Sequence, residues 1–287
     1  MNMNVAGKGA VLFFIFLSSY IWSQQTRADS ILYDFTHKPE KVLVAAHRAA
    51  HEYHPENSLA AIQEAIRLGA DIVELDIRAT SDGVLVMMHD KSLDRTTTGS
   101  GLVAEHSWAQ LQQLRLTHKG RPTQEKIPTF AQALNAARDS ILIDVDFKLE
   151  GMPAILEAAK EIVGLEMESQ VLFFLYERKE ALALHQMYPA IKIMPRVYTR
   201  RQARRLMRTF PQTILHIDKK VYSEPFAQKM RARGIRLWLN SLGDIDRAEK
   251  ADPGQGFSQL ERYPRANVIQ TDLPKALLAY LEMKAKR

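Results

Sequence analysis

The sequence contains no cysteine. This absence excludes disulfide bonds, thiolate metal sites and a cysteine nucleophile, although it does not by itself identify the compartment. Long apolar runs are scarce as well: the N-terminal apolar stretch "AVLFFIFLSSYIW" covers only 13 residues, which is short for a spanning helix of about 20. No linker or low-complexity segment divides the 287 residues, a length that α/β barrels use as one domain.

The N-terminus has the pattern of a secretory signal peptide. Lys8 precedes the short apolar stretch, and Thr26-Arg27-Ala28 offers a small-residue cleavage site after it. We therefore predict a signal peptide over residues 1–28, a mature domain over residues 29–287, and export to the periplasm or the extracellular space. An uncleaved anchor or a buried helix remains the alternative.

The charge is mildly basic, with a formal net value of +6 at pH 7. No nucleic-acid-binding motif accompanies it, so we expect no nucleic-acid partner. The basic residues are spread along the chain except for one cluster, which we interpret as a solvated helix face rather than a nucleic-acid or lipid patch. That cluster consists of Arg200, Arg201, Arg204, Arg205 and Arg208.

Eight short β-branched runs are separated by stretches long enough for crossover helices, which favours parallel strands. Eight such units are typical of an α/β fold, the (β/α)8 TIM barrel. In the first crossover we expect a helix over Ser58–Leu68, capped by Asn57 or Ser58 and ended by Gly69. The eight runs are Val42–His47, Asp71–Arg78, Ile141–Phe147, Val171–Tyr176, Ile191–Val197, Thr213–Asp218, Ile235–Asn240 and Val268–Thr271.

A ninth run, Val84–His89, follows the second strand too closely for a parallel crossover. We interpret it as an antiparallel arm that begins a small insertion after strand two, over about residues 84–126. The barrel pattern resumes at Ile127.

Polar side chains lie near the carboxyl ends of several predicted strands, where barrel enzymes place their active sites. Glu74 and Asp76 share one face of the second strand, and Asp144 and Asp146 share one face of the third. Burying such carboxylates is costly without compensation, so we expect a hard divalent cation with oxygen ligands. Structural ion pairs with neighbouring arginine and lysine side chains are the alternative.

The ordered motifs resemble those of the glycerophosphodiester phosphodiesterase family, in the phosphatidylinositol-phospholipase-C-like barrel superfamily. The resemblance extends over residues 42–280. Each motif is weak alone, and the ordered set is specific. The matching segments are His47-Arg48, Pro55-Glu56-Asn57-Ser58, Glu74-Leu75-Asp76, Asp82-Gly83, His89-Asp90, Leu93-Asp94-Arg95-Thr96-Thr97, Asp146-Phe147-Lys148, Trp238-x-Asn240 and Thr271-Asp272-x-Pro274.

The resemblance implies roles for individual residues. Glu74, Asp76 and Asp146 would bind Mg²⁺ or Ca²⁺. His47 and His89 would act as general base and general acid. The other implied roles are phosphate binding by Arg48 and Lys148, substrate binding by Trp238, and support of the site by Glu56 and Asn57. Barrel core for Trp238 and a simple helix start for Glu56 and Asn57 stay open.

Two positions depart from the family pattern. Ala49 stands where the family has glycine, which permits positive φ, so the first loop is expected to differ. Asp146 stands where the family usually has glutamate, and its shorter side chain is expected to loosen or shift the ion, with Asp144 as a reserve ligand.

The resemblance implies metal-dependent hydrolysis of glycerophosphodiesters to sn-glycerol 3-phosphate and an alcohol, a small-molecule reaction. Two alternatives stay open. One is a lysophospholipase D that acts on lysophospholipids and contacts lysolipid or a membrane surface. The other is a catalytically inactive barrel that binds glycerophosphodiesters. The head group, the acylation state and the oligomeric state are left undetermined by the sequence.

Overall fold

A computed structural model describes residues 25–149 and 151–286. The predicted signal peptide, residues 1–28, lies outside the described residues except for its last four. Within the described part of the chain, no helix combines the length and the apolar character needed to cross a membrane.

Eight of the strands pair in parallel and close into a barrel, which confirms the predicted (β/α)8 TIM barrel. Around the barrel the order is β1-β2-β6-β7-β8-β9-β10-β11, and β11 pairs again with β1. In chain order, the strands of the described residues are β1 (Leu43–Ala46), β2 (Ile72–Ala79), β3 (Leu85–Met87), β4 (Thr117–His118), β5 (Arg121–Pro122), β6 (Leu142–Phe147), β7 (Val171–Leu175), β8 (Lys192–Val197), β9 (Ile214–Ile217), β10 (Arg236–Asn240) and β11 (Val268–Thr271).

Helices alternate with the barrel strands and cover their outer faces. The predicted helix of the first crossover is confirmed: the Ser58 side chain caps it by accepting a hydrogen bond from Ala61 N at 3.1 Å, and Gly69 ends it with φ of 86°. The helices are α1 (Arg27–His37), α2 (Leu59–Leu68), α3 (Trp108–Leu111), α4 (Phe130–Ala137), α5 (Met152–Gly164), α6 (Arg178–Met187), α7 (Arg200–Leu206), α8 (Glu224–Arg231), α9 (Asp244–Ala251), α10 (Gln255–Ser258) and α11 (Pro274–Ala285).

Helix α1 closes the amino-terminal end of the barrel. Its Ile31 and Phe35 side chains pack against residues of the barrel interior, including Ile72 and Trp238. The buried Arg236, at the start of β10, donates hydrogen bonds to the carbonyl oxygens of Asp34, Phe35, Lys38, Lys41 and Asn267. The guanidinium therefore satisfies carbonyls at the end of α1, and the opposite end of the barrel remains open for a site.

Strand β3 is antiparallel to the end of β2, with Ile77 opposite Met87, which confirms the predicted arm. The insertion that follows contains α3 and the β4–β5 hairpin. A small apolar core of its own holds it together, formed by Val86, Met88, Leu93, Val103, Leu111, Leu116 and Ile127.

Candidate active site

Three carboxylates converge at the carboxyl end of the barrel. Glu74 and Asp76 lie on the same side of β2 because they are two residues apart, and Asp146 is beside Asp76 in the parallel register of β2 and β6. One oxygen of each carboxylate lies within 4.8 Å of the corresponding atoms of the other two. The structure thus brings together all three residues predicted to bind metal.

This cluster is electrostatically unfavourable by itself. Glu74 and Asp76 are only 2% and 0% exposed. Burial, followed by the charges of Asp76 and Asp146, raises the pKa of Glu74 well above its ordinary value. Asp76 Oδ1 lacks an aligned hydrogen-bond donor, although Lys148 Nζ lies 3.3 Å away. A hard cation with oxygen ligands fits these residues, because it would offset the buried charge and coordinate the Asp76 oxygen that lacks a hydrogen bond.

Asp144 does not belong to the convergent group. It pairs in register with Glu74, but its buried Oδ1 has no hydrogen-bond partner. Burial, and then the charge of Asp146, raises its pKa well above the ordinary value for aspartate. Asp144 therefore lies beside the three convergent carboxylates without joining them, and its expected role as a reserve ligand stays a prediction.

Two cations lie beside the carboxylates. Lys148 Nζ is 2.6 Å from Asp146 Oδ2, and the charges of Asp146 and Asp76 outweigh burial and raise the pKa of Lys148. Arg48 Nε lies 3.5 Å from Asp76 Oδ2 and has no hydrogen-bond partner among the described residues. Both predicted phosphate-binding cations are therefore present at the cluster, and Arg48 Nε has an ion-pair contact with Asp76 without an aligned hydrogen bond.

The segment after β1 supports the cluster directly. Asn57 Nδ2 donates to Asp76 Oδ2 at 2.9 Å, and Asn57 Oδ1 accepts from Asp76 N at 3.1 Å. Glu56 Oε1 accepts from Arg48 Nη1 at 2.9 Å. The contacts go beyond those of a simple helix start, because they fix one carboxylate of the cluster and one of its cations.

Glu56 also connects the site to the insertion. Its two oxygens accept hydrogen bonds from Arg95 Nη1 and Nη2, both at 2.8 Å, and Arg95 Nε donates to Asp90 Oδ2 at 2.6 Å. Burial would raise the pKa of Glu56, but Arg95 and Arg48 together lower it. The ion-pair network holds the insertion against the mouth of the barrel.

Each of the two histidines has a carboxylate partner. His47 Nδ1 lies 2.7 Å from Asp272 Oδ1, and His89 Nδ1 lies 2.6 Å from Asp90 Oδ1. A carboxylate at Nδ1 favours a proton there and leaves Nε2 available for proton transfer. Nε2 of His47 points toward the cluster, 3.9 Å from Glu74 Oε2. This arrangement suits general acid and base chemistry.

The loop after β1 has a left-handed backbone even though it lacks glycine. Arg48 and Ala49 have φ of 48° and 62°, and Asn57 has φ of 58°. In this conformation the backbone N–H of Arg48 donates to Glu74 Oε2 at 2.8 Å. Ala49 thus adopts the positive φ that glycine would readily supply. The alanine therefore does not force the backbone of this loop out of the left-handed region.

Trp238 lies in the barrel interior and is 0% exposed. Its Nε1 donates to Asn240 Oδ1 at 3.0 Å and to Gln270 Oε1 at 3.1 Å. The structure corrects the expected substrate-binding role: the ring packs among apolar core residues and has no surface to offer a substrate, so barrel core is the better of the two interpretations.

The sequence analysis assigned no role to several residues that lie at the mouth of the barrel. Tyr176 donates its hydroxyl to Asp146 Oδ1 at 3.1 Å. Across the mouth, Arg196 Nη1 lies 2.6 Å from His216 Nε2, and its guanidinium also pairs with Asp218. Only their position in the sequence could have indicated a place in the site, because all of them lie at or just after the end of a predicted barrel strand.

The model of the glycerophosphoryl diester phosphodiesterase family matches residues 47–239. A glycerophosphodiester phosphodiesterase of Caldanaerobacter subterraneus subsp. tengcongensis is 33% identical over 159 residues, which cover 53% of this chain and 65% of that protein. The mouse glycerophosphodiester phosphodiesterase 1 is 42% identical over 114 residues, or 38% of this chain and 34% of the relative. The chain thus spans about a third to two thirds of these relatives.

Solved structures show the same fold. A glycerophosphoryl diester phosphodiesterase of Parabacteroides distasonis has a TM-score of 0.79 and 21% identity, covering 91% of this chain and 93% of that one. A phosphodiesterase of Oleispira antarctica, in complex with the product sn-glycerol-3-phosphate, has a TM-score of 0.69 and 23% identity, covering 88% and 99%. Because the family model covers most of the barrel, the chain belongs to the glycerophosphoryl diester phosphodiesterase family.

Proposed function

We propose that this protein hydrolyses glycerophosphodiesters to sn-glycerol 3-phosphate and an alcohol, and that the reaction depends on a divalent cation. The observation that carries the proposal is the buried convergence of Glu74, Asp76 and Asp146 at the same barrel end as two carboxylate-paired histidines. Membership of the family and the product bound to the Oleispira antarctica phosphodiesterase support this choice of substrate.

In this proposal, one group of residues binds the cation and the phosphate, and a second group transfers protons. Glu74, Asp76 and Asp146 would hold Mg²⁺ or Ca²⁺, which when bound acts as a Lewis acid on a phosphate oxygen. Arg48 and Lys148 place positive charge beside the same phosphate.

The two histidines would serve a two-step reaction. In the first step His47 removes the proton from the glycerol hydroxyl next to the ester, and that oxygen forms a bond to phosphorus. The bond from phosphorus to the head-group oxygen breaks, and His89 protonates the departing alcohol. Water then opens the cyclic phosphate, with the proton transfers reversed, to give sn-glycerol 3-phosphate.

The test of this course is an analogue of glycerophosphocholine without the neighbouring hydroxyl. We expect release of choline from glycerophosphocholine and none from the analogue. Hydrolysis of both at similar rates would contradict the two-step course, while leaving metal-dependent hydrolysis intact.

A lysophospholipase D is the second candidate, and one observation favours it. A cavity of about 520 Å³ adjoins Lys148 and Tyr176, and its lining includes the apolar side chains of Phe147, Leu149 and Leu175 beside the carboxylates of Glu177 and Glu180. The apolar part of this lining suits an acyl chain next to the cluster. Faster turnover of lysophosphatidylcholine than of glycerophosphocholine, slowed selectively by Leu149→Asp, would favour this candidate. Binding without turnover of either substrate would indicate the inactive barrel.

We also propose that the protein is exported under the direction of residues 1–28. The support is the sequence pattern of Lys8, the 13-residue apolar stretch and the small residues after it. Cell fractionation tests this, with Leu12→Asp and Phe14→Asp as a variant pair that disrupts the apolar stretch. We expect the unaltered chain outside the cytoplasm and the variant inside it; the same location for both would contradict export.

A further inference from the structure

A strongly cationic cleft lies between α7 and α8, away from the candidate active site. It has a volume of about 340 Å³, and its lining includes Arg204, Arg208, Lys229 and Arg233. Gln212 and Ile235 also line it, and they lie just before β9 and β10. The cleft is therefore nearer the amino-terminal end of the barrel, opposite the carboxylate cluster.

The charges of this cleft are not balanced. Its lining contains four cationic side chains and no carboxylate. Across residues 25–149 and 151–286, no ion pair involves any of the four. All four side chains are exposed, whereas the half-buried Arg48 and Arg196 at the mouth of the barrel pair with Glu56 and Asp218. Arg204 and Arg208 are exposed, as the interpretation of a solvated helix face expects, and the cleft places Lys229 and Arg233 beside them.

The cations come in two pairs with helical spacing. Arg204 and Arg208 are four residues apart, as are Lys229 and Arg233, so each pair is on one side of its helix or helix end. The carboxyl ends of α7 and α8 offer each cation some compensation, but each helix end contributes only about half a negative charge. Two helix ends cannot neutralise four cations.

One buried polar atom in the cleft lining also lacks a partner. Gln212 Nε2 donates to Phe210 O at 3.2 Å, whereas the buried Gln212 Oε1 has no hydrogen-bond partner. A ligand that combines negative charge with a hydroxyl would satisfy both the cations and this acceptor, and the hydroxyl can belong to hydrogen phosphate or to the glycerol head group of a phospholipid such as phosphatidylglycerol.

We propose that the cleft between α7 and α8 binds a phosphate group, either free or as the head-group phosphate of an anionic phospholipid. The planar guanidinium groups of Arg204 and Arg208 suit paired hydrogen bonds to phosphate oxygens, and Lys229 adds a further positive charge. The site is separate from the metal cluster, and the proposal does not depend on the hydrolytic function.

The chain provides a matched control for a test. Arg204→Gln/Arg208→Gln removes two charges from the cleft, and Arg201→Gln/Arg205→Gln removes two charges from exposed positions of the same helix that do not line it. Each protein would be titrated calorimetrically with inorganic phosphate at pH 8 and low ionic strength, in EDTA. Phosphate bound beside Arg48 and Lys148 would be common to all the proteins.

We expect the cleft variant to bind phosphate about tenfold more weakly, since charged hydrogen bonds are lost, and the control to stay within about twofold of the wild type. Sedimentation with phosphatidylcholine vesicles, with and without phosphatidylglycerol, distinguishes the sources. Cleft-dependent binding to anionic vesicles alone would indicate a lipid phosphate, and cleft-dependent binding of inorganic phosphate would indicate a free one.

The proposal would be overturned if the cleft variant matched the wild type in both assays. Equal weakening in the cleft variant and the control would overturn it as well, because that result indicates a general effect of net charge. If the double glutamine variant does not fold, Lys229→Gln/Arg233→Gln tests the opposite side of the cleft with the same two outcomes.

Discussion

His47 and Asp272 are 225 residues apart in the chain, yet His47 Nδ1 and Asp272 Oδ1 lie 2.7 Å from each other. Closure of the barrel brings them together, because β11, which ends just before Asp272, pairs with β1, which ends just before His47. Burial works against the charge of Asp272, but His47 lowers the pKa of this carboxyl overall. An ionised Asp272 can thus hold the ring orientation and tautomer that the proposed role of His47 as a base requires.

Replacement of Asp272 by asparagine tests this positioning role. We expect Asp272→Asn to lower kcat for glycerophosphocholine by about 10- to 100-fold with little change in KM, because the amide no longer favours a proton on Nδ1 of His47. Asp244→Asn, at an exposed position of α9, is the control and should retain wild-type kcat. A wild-type kcat for Asp272→Asn would show that the contact does not matter for the reaction.

The left-handed backbone at position 49 predicts an unusual stabilising substitution. An L-residue with side chain pays about 1–2 kcal/mol in this region, whereas the buried methyl group of Ala49 returns about 0.8 kcal/mol. Ala49→Gly should therefore raise the free energy of unfolding in urea by up to about 1 kcal/mol. Ala50→Gly, next to it and also buried but without positive φ, should lower it. A loss of stability in both variants would contradict the strain.

The last residues of the predicted signal peptide contact the barrel. Thr26 and Asp29 form a reciprocal cap at the start of α1, and the Arg27 guanidinium donates to the carbonyl oxygens of Ala70, at 2.6 Å, and Ser140. A chain that begins at residue 29 should therefore unfold with about 2–3 kcal/mol less stability than one that begins at residue 25. In the longer chain, Arg27→Ala should reproduce part of this loss of stability. Lys38→Ala, at an exposed position just after α1, is the control and should change the stability little. Equal stability of the two chains would show that the contacts are dispensable.

His216 predicts a dependence of stability on pH. Burial, and then the charge of Arg196, lowers the pKa of His216 well below its ordinary value, so the folded protein holds the neutral imidazole. The unfolded chain binds a proton below about pH 6.5, and stability falls as the pH decreases through that value, by about 1.4 kcal/mol per pH unit.

The measurement is urea unfolding between pH 7.5 and 5.5 for the wild type and His216→Gln. Glutamine can still accept a hydrogen bond from Arg196 but does not titrate. The difference in unfolding free energy between the two proteins should shrink toward the acidic end. A difference that is independent of pH would contradict a neutral, buried His216.

The sequence predicted the barrel well because parallel strands buried on both faces have a local signature. Runs such as Ile141–Phe147 and Ile191–Val197 differ from the observed β6 and β8 by a single residue at one end. Position within such runs also located Glu74, Asp76 and Asp146, since alternation along a strand determines which side chains share a face.

The depth of a side chain in the barrel and its partners from distant parts of the chain could not be predicted in the same way. Alternation gives the side of the sheet on which Trp238 lies but not its level in the barrel, and that level decides between core and substrate contact. The partnership of His47 with Asp272, and that of Tyr176 with Asp146, depends on which strands are neighbours and on exact register. The left-handed backbone of Ala49 could not be predicted because alanine rarely adopts positive φ.

The most direct test of the central claim is the release of sn-glycerol 3-phosphate from glycerophosphocholine by the chain from residue 25, with Mg²⁺, with Ca²⁺ and with EDTA. Glu74→Gln is the test variant, and the exposed Glu157→Gln is its control. We predict turnover that requires a divalent cation and is reduced more than about 100-fold in Glu74→Gln alone, since even changes outside the ligands cost 10- to 100-fold. Turnover that persists in EDTA, or in Glu74→Gln, would contradict a metal-dependent reaction at this cluster.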